Sequence, residues 1–142
     1  MNFIDINDEN LKVNRITFSG DSDWFNHLYV LDIKEYNGKL LMGSMGNGLI
    51  LYDYINNSCT KLTTKNGLHN NSIKTVLTDQ DNNVWVSSNK GISRVNLTDN
   101  SIIHYGKDNG ISEEEFSEIC GVKRHNGELV FGSRRGILVF RG

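Results

Sequence analysis

The sequence predicts an all-β chain, a partial β-propeller of about three four-stranded antiparallel blades with the last blade lacking its fourth strand. Three observations carry this. Residues 38–44, 82–88 and 126–133 align when the chain is slid against itself, a period of about 44 residues. Gly48-Leu49, Gly91-Ile92 and Gly136-Ile137 recur at one phase, as do Asn66-Gly67-Leu68 and Asn109-Gly110-Ile111. A period of roughly 40 to 50 residues holding several short strands is the pattern of one blade per repeat.

Residues 1–9 are polar and are expected to be frayed. Residues 11–18 set Leu11, Val13 and Phe18 among polar residues in near-alternation, as in a half-buried strand. No partner strands precede it, so 10–26 reads as an orphan outer strand plus a loop. Blade one spans 27–65. Its first strand, within 27–36, is a largely apolar run of the kind buried on both faces. Asn37-Gly38 marks a type I′ hairpin, because both residues tolerate positive φ. Strands at 39–44, 49–54 and 58–64 complete the blade. Blade two spans 66–108, with strands at 72–79, 84–88, 91–96 and 101–106. Blade three spans 109–142, with strands at 116–125, 128–133 and 136–141.

Propellers ordinarily need four to eight blades to surround an axis. The expected partners are therefore the remaining blades of a larger propeller or a second copy of the chain by strand exchange, each copy lending residues 11–18 to the other's third blade.

Composition narrows the other partners. The 15 basic and 17 acidic residues leave a net charge of -2, which carries no footprint for nucleic acid or for direct membrane contact by this segment. No run approaches the roughly 20 apolar residues that cross a bilayer, and the first ten residues lack the basic and apolar regions of a secretory signal. Cys59 falls in the outermost strand of its blade and Cys120 in the innermost strand of another. At about 4.8 Å per strand their radii differ by roughly 14 Å, too far for a disulfide, so two free thiols are expected.

In the middle repeat Gly67-Leu68, Asn71, Ile73, Val76-Leu77, Asp79, Asp81, Val84-Trp85-Val86 and Gly91-Ile92 resemble the two-component regulator propeller repeat. Asn82, Ser87 and Ser88 depart from its glycine, glycine and threonine, conservatively in backbone terms. The resemblance covers about residues 27–140, and the third blade is similar to the last blade of such propellers. It implies a fragment of the periplasmic sensor of a hybrid two-component histidine kinase, with the kinase domain outside this chain. Many relatives of that kind detect oligosaccharides, so the resemblance implies a non-catalytic, carbohydrate-sensing role in signal transduction.

The chemistry-bearing residues are few. The glycines at 43, 46 and 48 are followed by an expected strand and not by the helix a dinucleotide fingerprint needs, so they read as a hairpin turn. His27, His69, His104 and His125 show no ligand spacing, and neither metal nor cofactor is expected. Trp85 reads as core. Asp108, Glu113, Glu114, Glu115 and Glu118 read as a solvated loop, and no catalytic set is visible. Loops joining a fourth strand to the next blade share one end of a propeller, where binding residues tend to lie. There Trp24 could stack on a sugar face, with Asp23, His69, Asn70 and Glu113 as polar companions. Two other readings are a propeller-fold glycan-active enzyme fragment and a protein–protein interaction scaffold.

Overall fold

The computed structural model describes residues 2–4, 13–111 and 116–142. Strands β1 (Asn2–Ile4) and β2 (Val13–Arg15) form an antiparallel pair. Blade one is the sheet β3 (Val30–Tyr36), β4 (Lys39–Ser44), β5 (Leu49–Asp53) and β6 (Ser58–Leu62), hydrogen-bonded in that order. Blade two follows as β7 (Thr75–Thr78), β8 (Val84–Ser88), β9 (Gly91–Asn96) and β10 (Ser101–Tyr105). Blade three has β11 (Phe116–Lys123), β12 (Glu128–Ser133) and β13 (Gly136–Arg141). The chain is thus a partial propeller whose third blade has three strands among the described residues.

Turn chemistry and backbone approach explain the repeated signals. Asn37 and Gly38 have φ of 48° and 73°, the two positive angles of a type I′ turn. Gly48 and Gly91 also have positive φ, at 76° and 112°. A Cβ on Gly48 would stand 2.0 Å from the Leu62 carbonyl oxygen, and one on Gly91 2.5 Å from that of Tyr105. Each blade's fourth strand therefore ends against the glycine that opens the third. At Gly136, the corresponding glycine of blade three, no described residue lies within 4 Å.

Faces of successive blades bury each other. Leu41 and Leu49 of blade one pack with Ile73, Val76, Val84, Val86 and Val95 across the first junction. Leu77, Trp85 and Ile92 meet Phe116, Leu129 and Phe131 across the second. The blades approach closely at Gly43, where a Cβ would lie 2.8 Å from the Ile73 carbonyl oxygen and 3.2 Å from a Val76 methyl. Buried Asp32 of β3 pins the same junction, its Oδ2 accepting the Val76 N–H at 2.8 Å. At the second junction β11 bulges between Phe116 and Gly121. The bulge lets Ile119 N–H reach the Lys74 carbonyl at 3.1 Å and Cys120 N–H reach Thr75 Oγ1 at 3.0 Å.

Inside blade two, Asp79 organises the first hairpin. Its Oδ1 accepts the N–H groups of Asp81 and Asn83, and its Oδ2 accepts Asn83 Nδ2 and Trp85 Nε1. Burial works to raise the Asp79 pKa, but the bonds from Trp85, Asn83 and Asp81 outweigh it and lower it. Trp85 is thereby fixed in the core as expected, and Cys59 and Cys120 are free thiols.

Three expectations need correction. Among the described residues the strand expected over 11–18 is β2 alone, and it is not an orphan. It pairs with β1, inside a segment expected to be frayed; three residues are too few to show a periodicity. Beyond β2, Ile16 and Phe18 pack with Phe25 on Met42, Ile50 and Tyr52 of blade one, while Leu11 lies outside the described residues. The first strand of blade one is also not buried on both faces: Val30 and Ile33 are 40% and 47% exposed, because only one face of β3 meets blade two.

Two measurements test these contacts. Gly43→Ala is expected to lower the urea unfolding free energy by about 1–3 kcal/mol, because Ile73 must give way in a close-packed junction. Asp79→Ala should cost about 1–3 kcal/mol by leaving the Trp85 and Asn83 donors unpaired. Because the folded pKa of Asp79 is depressed, its contribution is full above the ordinary carboxylate pKa and fades as pH falls through the folded value. The Ala variant should lose part of the acid limb of the stability profile.

Candidate functional site

In an antiparallel four-stranded blade, the turn from the second to the third strand and the loop leaving the fourth lie at the same end. Around blade two these are Asn89-Lys90, the loop from β6 into β7, and the segment after β10. They enclose a groove of about 490 Å³ whose lining includes His69, His104, Asn89, Lys90, Lys107, Asp108 and Asn109.

The sequence builds the walls locally. Thr63 and Asn66 form a reciprocal capping box on the 3-10 turn Thr64–Asn66, and Gly67 then reverses the chain with φ 111°. Asn71 locks the loop: its Oδ1 accepts the Thr64 N–H at 2.8 Å, and its carbonyl accepts the N–H groups of Gly46 and Gly48. On the far wall a second 3-10 turn, Lys107–Asn109, is held by Asn109 Oδ1, which accepts the Gly106 N–H at 3.2 Å.

This scaffold lays the exposed His69 ring flat on His104 of β10, with centroids 3.5 Å apart and planes 9° apart. His104 is fastened from below. Its Nδ1 lies 3.2 Å from Ser93 Oγ on the paired strand, and the Lys90 carbonyl accepts a hydrogen bond from the ring. Burial first, then the neighbouring His69, push the His104 pKa down, against the pull of the Lys90 carbonyl. Two stacked imidazoles at this distance do not both carry a proton cheaply.

The residues named from sequence divide between two places. Trp24 and Asp23 lie in the 3-10 segment Gly20–His27, against blade one. The Trp24 indole is half-buried beside Phe25, and Lys61 Nζ stands 4.3 Å from its ring centroid. A cation therefore holds a face that a sugar would use. Asp23 accepts a hydrogen bond from Asn26 Nδ2 at 2.9 Å, and Asn26 also bonds the Phe18 backbone in both directions. His69 lies instead on blade two. Asn70 Oδ1 accepts the Ser72 N–H at 2.8 Å, which makes it a loop brace. Glu113 lies outside the described residues. The sequence reading missed His104, Lys90 and Lys107; the signal that could have found them is topological, because the second-to-third turns share an end with the loops already singled out.

Residues 67–90, from the His69 loop through β8 to the Asn89-Lys90 turn, match the family model described as the two component regulator propeller. Blade two carries a two-component regulator propeller repeat. A 76-residue stretch is 32% identical to histidine kinase P4 of Formosa agariphila, covering 54% of this chain and 6% of that protein. The fold is similar to the extracellular domain of the hybrid two component system BT3049 from B. thetaiotaomicron, with TM-score 0.80 and 26% identity over 94% of this chain and 18% of that one. The extracellular domain of BT4673 from the same organism shares the fold, with TM-score 0.74 and 19% identity over 99% of this chain and 20% of that one. The chain thus spans about a fifth or less of each of these relatives.

Within the propeller repeat, the histidine pair makes a checkable claim. His69→Ala removes one cause of the depressed His104 pKa and opens that ring to water, so the His104 midpoint in an NMR titration should rise toward its ordinary 6.5.

Proposed function

We propose that this chain is a ligand-sensing segment of an extracytoplasmic propeller in a hybrid two-component system, that it responds to an oligosaccharide, and that it is non-catalytic. The observation that carries the reading is the groove over blade two: a polar site at the loop end of a rigid scaffold whose fold is shared with extracellular domains of such systems. The same likeness supports a periplasmic placement, and no helix among the described residues is long and apolar enough to cross a membrane. Among the described residues lining the groove, Asp108 is the one carboxylate, whereas glycoside hydrolysis ordinarily uses a facing pair.

Calorimetry with a panel of oligosaccharides should find a ligand that the chain binds and leaves intact. Release of cleaved product would move the assignment to an enzyme. A protein captured in place of any glycan would move it to an interaction scaffold.

The partner reading has its own support. Ile137 and Val139 of β13 are exposed, Gly136 has no neighbour among the described residues where Gly48 and Gly91 meet a fourth strand, and a second groove of about 370 Å³ opens between Trp85, Tyr105, Leu138 and Phe140. In blade two the matching position is filled by Ile102, which pairs with Val95 and packs on the first junction. A fourth strand beside β13 would send a side chain into this groove. Its source is the remaining blades of a longer propeller, or a second copy of this chain when it stands alone. Light scattering should then show a dimer, and Gly136→Val, which puts a branched side chain in the strand's path, should return it to a monomer. A strictly monomeric parent would refute strand exchange.

A further inference from the structure

The histidine groove has a sign. Lys90 and Lys107 face it from the β8–β9 turn and the segment after β10, and among the described lining residues Asp108, exposed to screening water, is the one carboxylate. Asn109 spends its carbonyl oxygen on the Gly106 N–H, which leaves its amide NH2 as its remaining donor, and Asn89 adds a second amide. Cations recur at this rim in the other blades. Lys61 and Lys65 line a smaller groove of about 200 Å³ on blade one, and Arg134-Arg135 forms the corresponding turn of blade three.

We propose that the groove over blade two is a subsite for an anionic group of a saccharide, a carboxylate or a sulfate ester, received by Lys90, Lys107 and the exposed edge of His69. The assignment rests on the saccharide-sensing reading and adds the chemistry of the ligand. Its physical core is the stacked pair. His104 is half-buried and already bonded to Ser93 and to the Lys90 carbonyl, so it serves as the platform. His69 is the outer, exposed ring, where water and an anion both reach it. An anion bound there favours the charged ring, and by linkage the charged ring favours the anion. Among the described residues, the charged groups lining the groove around the pair are Lys90 on its turn and Lys107 and Asp108 beyond β10. Affinity is therefore expected to rise as pH falls through the histidine range.

The test is calorimetry with two-dimensional NMR on the full chain, using digalacturonate, a sulfated galactose disaccharide, inorganic sulfate and neutral digalactose at about pH 8 and about pH 5.5. The acidic sugars are expected to bind about fivefold more tightly at the lower pH and to shift the His69 and Lys90 signals. Lys90→Ala should weaken them about threefold at both pH values, and His69→Gln should reduce the pH dependence while keeping the higher-pH affinity. Comparing the two acidic sugars separates carboxylate from sulfate ester. Binding of inorganic sulfate at His69 without any saccharide would uphold the anion site and sink the saccharide reading. Neutral digalactose bound away from His69, with no acidic sugar in the groove, would uphold saccharide binding and overturn this site. Equal affinity at both pH values, or equal affinity for neutral and acidic sugars, would also overturn it.

Discussion

Every other feature of this chain depends on one blade face covering the next. A small twisted sheet has two faces, and its hydrogen bonds hide neither. Burial comes only when a neighbouring blade lies against it, and at about 25 cal/mol per Å² of apolar surface that contact is the main source of stability. The close approach at Gly43 and the Asp32 carboxylate on the Val76 amide show how the first junction is set. The second uses a different device, a β-bulge at Ile119 whose backbone reaches across to Lys74. Ile119 takes φ 50° there, which is costly for a β-branched residue and is sustained by the bonds around it.

The candidate site inherits its rigidity from this packing. Leu68 is buried in the first junction directly before His69, so the imidazole stands on an anchored residue although its loop is polar. His104 is held through β10 and the Ser93 register. The stack therefore joins a loop and a strand that the core fixes independently, and such preorganisation lowers the ordering cost of binding.

Much of the fold was legible because backbone needs repeat when blades repeat. Glycine at 48 and 91 answers a positive φ and a strand end passing within contact distance, so the same letter returns at the same phase. Trp85 was readable as core for a similar reason, whereas the hydrogen bonds by which Asp79 organises its hairpin emerged only in the structure. The pair β1 and β2 was half-missed, because β1 is three residues long and its partner lies nine residues away across polar chain. The setting of Trp24 was not legible, because composition marks its segment as a polar loop, while the fold sets Lys61 over its ring.

The sequence by itself determined the period, the strand count within each repeat and the residues that turn the chain, since all of these are local or self-similar demands on the backbone. It also isolated the loops at one end of the blades. Which of those residues meet was decided only in three dimensions. His69 and His104 are 35 positions apart and share no motif, and Asp23 and Trp24, grouped with His69 on paper, sit against another blade. Side chains on separate connections converge through strand register and blade packing, which are long-range properties, so no local pattern encoded the histidine stack on which the site is built.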